Sequence, residues 1–178
     1  MKLKNETLSK NFLIYGFGKS GISSLKYLKK KNRCFIFDDD KKKIKNKYKK
    51  FFISKSKLLN NNFDYIVISP GININRCQLS NYLKKNQKKV ITDFDIFYKF
   101  NPEVLTITIT GTNGKSTTSK LLYDILKKHN YDTRLTGNIG NPILEEKKVT
   151  RNTIFVIEAS SYQLAYSKYF KSKFSIII

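Results

Sequence analysis

The sequence predicts an α/β protein: a Rossmann-like parallel-sheet domain followed by the start of a P-loop-type α/β domain. Three observations predict it. Short runs of β-branched and aromatic residues alternate with helical stretches, two of these runs end in glycine-rich turns, and each such turn opens an amphipathic stretch. Strand, glycine turn and helix in repeated succession is the pattern of parallel strands joined by helical crossovers.

Phe12-Leu-Ile-Tyr-Gly16 reads as a first strand, and residues 20–31 then place Ile22, Leu25, Tyr27 and Leu28 at helical spacing. Cys34-Phe-Ile-Phe37 reads as a second strand that ends on Asp38, Asp39 and Asp40. Apolar runs at 51–53 and at Tyr65-Ile-Val-Ile68 predict further strands, the latter stopped by Ser69-Pro70-Gly71. The pattern pauses at Asn101-Pro102, which predicts a domain boundary there and divides the chain into residues 1–100 and 101–178. Beyond it, 104–110 predicts a strand, 116–129 a helix, 133–136 a strand, 137–142 a Gly/Asn loop and 153–157 a strand. The last apolar run, 174–178, is expected to lie centrally in its sheet.

Composition narrows the function classes. The chain has 35 Lys plus Arg against 13 Asp plus Glu, a formal net charge of +22. Such an excess raises nucleic acid or an anionic surface as partners, because clustered cations gain from neutralising phosphates. Here 31 of the basic residues are Lys and 4 are Arg, alongside 21 Ile and 17 Asn, which is a bias of the whole chain. The excess is +17 over residues 1–100 and +5 over 101–178. It is densest at 41–57, where Tyr48, Phe51 and Phe52 are interleaved; a basic nucleic-acid module would use that stretch, but a solvated helix and strand edge is the better account of it. No specific nucleic acid is expected as a partner.

With 40% hydrophobic residues the chain can bury a core, which separates it from disordered polycations. No apolar run approaches the roughly 18 residues of a membrane span, and the polar N-terminus has no signal-peptide core. Cys34, Cys77 and the lone His129 have no metal-ligand spacing. A cytoplasmic monomer with reduced thiols is expected.

Two turns carry the chemistry. Gly111-Thr-Asn-Gly114-Lys115-Ser116-Thr117 follows a β-branched strand and opens a helix, the setting of a phosphate-binding loop. Glycines there let backbone N–H groups converge on phosphate oxygens, and the helix N-terminus adds its positive dipole end. Lys115 would reach the β and γ phosphates of ATP and Ser116 would place a hydroxyl on Mg²⁺. The spacing falls short of a full G-x-x-x-x-G-K-[ST], since the first glycine is absent. The second turn, Gly16-Phe-Gly18-Lys-Ser-Gly21, is followed by Asp38 at the end of the next strand, a dinucleotide-type fingerprint. It is compatible with NAD, with another nucleoside diphosphate or with close helix–sheet packing.

Gly111-Thr-Asn-Gly-Lys-Ser-Thr117, Gly137-Asn-Ile-Gly140 and Glu158-Ala-Ser-Ser-Tyr-Gln-Leu164, in this order, resemble the ATP-binding core of the Mur ligases of peptidoglycan synthesis. Within that family they are most similar to the ligases that add D-glutamate to UDP-N-acetylmuramoyl-L-alanine, and the N-terminal Gly-x-Gly-x-x-Gly and Ser69-Pro-Gly-Ile72 agree. The resemblance implies a UDP-binding α/β domain, a central ATPase domain and a C-terminal domain, of which 178 residues cover the first and the opening of the second. It assigns Gly111, Thr112, Asn113, Gly114, Lys115, Ser116 and Thr117 to ATP, and Glu158 beside Ser116 to Mg²⁺, with Lys115 and Glu158 as the catalytic pair. Asn138, Ser160 and Gln163 would contact the muramoyl substrate, and Gly18, Lys19, Ser20, Asp38, Asp39 and Gly71 the UDP portion. The implied reaction is amide formation through an acyl phosphate. The chain is expected to be an N-terminal fragment, inactive as a ligase by itself. A nicotinamide-dependent reductase would use Gly16 to Gly21 and Asp38 but leave the phosphate loop idle. A folate-type polyglutamate ligase would share that loop but not the UDP-like first domain.

Overall fold

The computed structural model describes residues 9–40 and 45–178; part of the Lys-rich stretch, 41–44, lies outside the described residues. The chain divides after Asp93 into two compact units.

The first unit is built on a four-stranded, all-parallel sheet in the order β2-β1-β3-β4. Its strands are β1 (Asn11–Tyr15), β2 (Arg33–Phe37), β3 (Tyr65–Ile68) and the two-residue β4 (Val90–Ile91). Phe12, Leu13, Ile14 and Tyr15 are all buried, because an inner parallel strand is covered on both faces and so reads as a continuous apolar run. α1 (Lys19–Leu28) buries Leu25 and Leu28 together with the small residues Gly21, Ser23 and Ser24. α2 (Lys55–Leu59) starts at Ser54, whose side chain accepts from the Lys57 N–H, and α3 (Ser80–Lys85) follows β3. The strand expected at 51–53 is not formed. Residues Asn46–Phe51 make a 3₁₀ helix, and only Phe52 bridges to Ile36 on the outer side of β2. Lysines on both sides of this run keep it at the surface, where Phe52 stacks on Phe37 at 6.4 Å. Burial pushes the Cys34 thiol up to about 12, so it stays protonated near neutrality.

The second unit begins at the second residue of α4 (Asp93–Phe100), a helix that the sequence reading did not anticipate. Its residues are aromatic and β-branched, poor helix formers in isolation. Tertiary packing decides the matter: Phe97 lies 4.6 Å from Phe155 and Phe94 5.3 Å from Phe170, ring centre to ring centre. The helix therefore packs with the segment after Asn101-Pro102.

Four parallel strands follow in the order β6-β7-β5-β8. They are β5 (Leu105–Thr110), β6 (Thr133–Gly137), β7 (Ile154–Glu158) and β8 (Phe174–Ile177). α5 (Lys115–Lys128) connects β5 to β6, and α6 (Ser161–Tyr166) lies between β7 and β8. Phe155, Val156 and Ile157 on the inner strand β7 are fully buried. β8, expected at the centre of its sheet, has one neighbour among the described residues. It pairs with β5 alone, and Phe174 and Ile177 are 59% and 81% exposed. His129 is the exposed C-cap of α5, away from both glycine turns in sequence.

Candidate functional site

In the second unit β5 runs into Gly111–Gly114, and α5 starts at once at Lys115. Gly111 has φ +142° and Gly114 φ +79°, a left-handed region that glycine enters without steric cost. Gly114 is the N-cap and no side chain caps the helix. The first-turn amides of Lys115, Ser116 and Thr117 therefore lack intrahelical partners and suit an anion. The Lys115 ammonium folds back and donates to the carbonyls of Gly111 and Thr112, at 2.8 and 2.9 Å. One loop amide is already engaged: Thr112 N–H donates to the Ile178 carbonyl at 3.2 Å. A Cβ on Gly111 would overlap that same carbonyl.

Glu158 closes β7 and stands in register with Ile109 of β5 and Gly137 of β6. Parallel neighbours thus bring the ends of β5, β6 and β7 side by side, with the phosphate loop, Gly137-Asn138 and Glu158 along one rim. Glu158 is 4% exposed, and its Oε2 has no hydrogen-bond partner. A buried carboxylate oxygen left unpaired is costly, and it is the feature a divalent ion would satisfy. Among the described residues no cluster of three His, Cys, Asp or Glu is present. A hard cation here would draw on Glu158, the exposed Ser116 hydroxyl and phosphate oxygens, a donor set that suits Mg²⁺. Asn138 N–H donates to the Glu158 carbonyl at 3.0 Å, and a Cβ on Gly137 would overlap that carbonyl.

Ser160 and Gln163, expected as substrate contacts, bond to each other. The Ser160 hydroxyl accepts from Gln163 N–H at 3.2 Å and the Gln163 Oε1 accepts from Ser160 N–H at 3.1 Å, a capping box that starts α6. Only the Gln163 amide nitrogen, buried and unpaired, remains available. Ser-x-x-Gln is a legible helix-start signal that the sequence reading passed over.

In the first unit the Gly16 turn leads from β1 into α1, whose N-cap is Gly18. Gly18 and Lys19 are exposed and Ser20 half-buried at the helix start. Asp38, at the end of β2, is 5% exposed, and its carboxylate accepts from Phe17 N–H at 2.6 Å and Asp40 N–H at 2.9 Å. Both oxygens therefore hold the turn in shape. Asp39 accepts from the buried Tyr15 hydroxyl at 2.7 Å; burial, with Cys77 and Asp39 alongside, raises that phenol. Ser69 donates to the Gly16 carbonyl at 2.6 Å, latching the loop after β3, which includes exposed Gly71, onto the glycine turn. The Ser69 latch is a further site residue that the motif contained and the sequence reading left without a role.

A separate charged cluster supports β6 from its other end. Asp132 accepts from the Thr153 hydroxyl at 2.7 Å and pairs with Arg134, which also reaches Glu146 at 3.2 Å. The Thr153 hydrogen bond above all, then the Arg134 charge, holds the Asp132 carboxyl below its usual range against an opposing contribution from burial. A carboxylate depressed in the folded state stabilises fully above its unfolded pKa of about 3.9 and loses that stabilisation as pH falls through the folded value. Thr153→Val is expected to return the Asp132 titration, followed by carboxyl NMR, toward the ordinary range; an unmoved midpoint would contradict this assignment.

Residues 109–178 match the model of the Mur ligase middle domain. The chain is 35% identical over 182 residues to the UDP-N-acetylmuramoylalanine--D-glutamate ligase of Caldicellulosiruptor bescii, covering 95% of this chain and 39% of that protein. It is 33% identical over 172 residues to the ligase of the same name from Rickettsia bellii, covering 94% and 38%. The chain thus spans about two fifths of the length of the curated relatives it matches. In fold it is similar to the crystal structure of UDP-N-acetylmuramate:L-alanyl-gamma-D-glutamyl-meso-diaminopimelate ligase from Neisseria meningitides, with a TM-score of 0.54 and 13% identity, covering 96% of this chain and 60% of that one. From within β5 onward, residues 109–178 are thus similar to the Mur ligase middle domain.

Proposed function

We propose that the chain forms the nucleotide-substrate unit and the phosphate-loop part of the ATPase unit of a ligase that joins D-glutamate to UDP-N-acetylmuramoyl-L-alanine. The observation that carries this reading is the unpaired, buried Glu158 oxygen on the same rim as an uncapped glycine loop. The relatives' names support the substrates. The nicotinamide alternative is not favoured, because it leaves the uncapped phosphate loop and the buried Glu158 oxygen without a role.

In this reading the amides of residues 113–117 bind the ATP phosphates, and Lys115 leaves its two carbonyls to bind the β and γ phosphates. Glu158 and Ser116 are the residues that would hold Mg²⁺, which would supply charge neutralisation between an anionic nucleophile and an anionic phosphate. The substrate carboxylate oxygen attacks the γ phosphorus, the bond to the bridging oxygen breaks, and ADP departs with its electrons. The D-glutamate amine then attacks the acyl phosphate carbon, loses a proton and expels phosphate. Lys115 offsets charge on the transferring group, while Gly18, Lys19 and Ser20 present the α1 N-terminus to the UDP diphosphate. Asn138 and the Gln163 amide nitrogen face the muramoyl portion.

Calorimetric titration of the chain with ATP, with and without Mg²⁺, tests the site. Binding is expected to be strengthened by Mg²⁺, and Glu158→Gln is expected to remove that increment, about tenfold or more, while leaving Mg²⁺-free binding nearly unchanged. No nucleotide binding, or an increment that survives Glu158→Gln, would overturn the proposal.

A further inference from the structure

The connection from α6 to β8 is held by side chains that the site does not use. Asp95 on α4 is 2% exposed, and one of its oxygens, Oδ1, accepts three successive backbone N–H groups, from Lys168 at 2.9 Å, Tyr169 at 2.7 Å and Phe170 at 3.0 Å. A carboxylate with several charge-assisted amide bonds is a strong anchor. Two residues on, the Ser172 hydroxyl lies 2.7 Å from the Thr108 hydroxyl and bonds the Thr106 carbonyl, while Lys173 N–H donates to the Thr106 hydroxyl at 3.1 Å. Thr106 and Thr108 are both buried on β5, the strand that carries the phosphate loop.

These bonds tie the start of β8 to β5 at one register, Ile107 against Phe174 through Thr110 against Ile177. The far end of that register is the phosphate loop. Ile178 N–H donates to the Thr110 carbonyl at 3.0 Å, and the Ile178 carbonyl accepts from Thr112 N–H at 3.2 Å. That carbonyl also occupies the space beside Gly111. A slip of one residue in β8 would exchange the faces of its side chains and withdraw the carbonyl from Thr112.

We infer that Asp95, seconded by Ser172, is a positioning residue for the phosphate loop: by anchoring the α6–β8 connection it sets the register of β8, and through Ile178 it shapes the Gly111–Thr112 turn. The importance of that turn rests on the reading of 111–117 as a phosphate site; the shape itself does not.

The test is therefore made on the protein without nucleotide, by amide hydrogen exchange and ¹⁵N NMR of the full chain. Asp95→Ala is expected to accelerate exchange of Thr112 N–H at least tenfold relative to Val156 N–H in the β7 core, and to shift the Gly111 and Thr112 resonances. Asp95→Asn, which keeps one acceptor oxygen, is expected to restore most of the difference. Ser172→Ala, which leaves the buried carboxylate in place, is expected to move the same two resonances and serves if Asp95→Ala does not fold. Uniform acceleration of Thr112 and Val156 in both folded variants would mean general loosening and would overturn the inference. So would unchanged Gly111 and Thr112 signals with altered 168–170 amides. Failure of ATP to bind the unmodified chain would instead sink the functional reading and leave this one standing.

Discussion

Gly111→Ala is expected to abolish ATP binding to the chain while the first unit keeps its fold. Position 111 has φ +142°, where an L side chain is strained, and the added methyl would overlap the backbone carbonyl of Ile178. Left-handed strain alone costs on the order of 1–3 kcal/mol, and the oxygen met by the methyl is a main-chain atom that accepts from Thr112 N–H. The turn must open, and with it the Thr112 bond to Ile178 and the resting contacts of Lys115. The comparison is Gly114→Ala, where φ is +79° but the nearest atom is the movable Ile178 Cδ1 at 3.3 Å. Its loss of affinity should be the smaller of the two. Calorimetry with ATP and Mg²⁺ reads both, and wild-type affinity in Gly111→Ala would remove this glycine from the site.

The second large effect is expected in the first unit. Gly21 lies in α1 with its missing Cβ directed at the Gly16 carbonyl, so Gly21→Ala forces the helix away from the turn it closes. Overpacking against backbone costs about 3 kcal/mol, a large fraction of the 5–15 kcal/mol that stabilises a typical domain. Gly18→Ala is the control, since no atom lies within 4 Å of the position and its backbone is extended. Urea unfolding followed by tyrosine fluorescence should show a lower midpoint for Gly21→Ala and little change for Gly18→Ala. Equal midpoints would show that α1 can shift without cost.

The contrast between these glycines also marks what could be read from the sequence. The spacing Gly16-x-Gly18-x-x-Gly21 announces a turn and a helix, but which glycine meets backbone is known only once β1, α1 and the Ser69 loop are in place. β1 and β3 were legible because burial on both faces makes inner strands continuous apolar runs, β5 because its Thr and Ile are β-branched, and α5 because the glycine loop marks its start. α4 was not legible: Phe94, Ile96 and Phe97 favour a strand locally, and the helix exists through its contacts with Phe155 and Phe170. The strand read at 51–53 failed for the opposite reason, local propensity without a second partner. Lys115, Glu158 and Asp38 were singled out as candidates from motif positions, whereas Asp95 and Ser172 belong to no motif. Their partners are mostly backbone amides and carbonyls more than sixty residues away, and such pairings leave no trace in spacing.

The resting position of Lys115 has a consequence for ligand choice. With two carbonyl oxygens already around its ammonium, the loop carries its own surrogate for phosphate. Binding is then an exchange, and the net gain is the difference between two sets of contacts. A monoanion that brings one oxygen to the lysine competes poorly with the pair it displaces. A polyphosphate that bridges the lysine and the α5 amides replaces both at once, so the loop discriminates by the number of oxygens a ligand can present together.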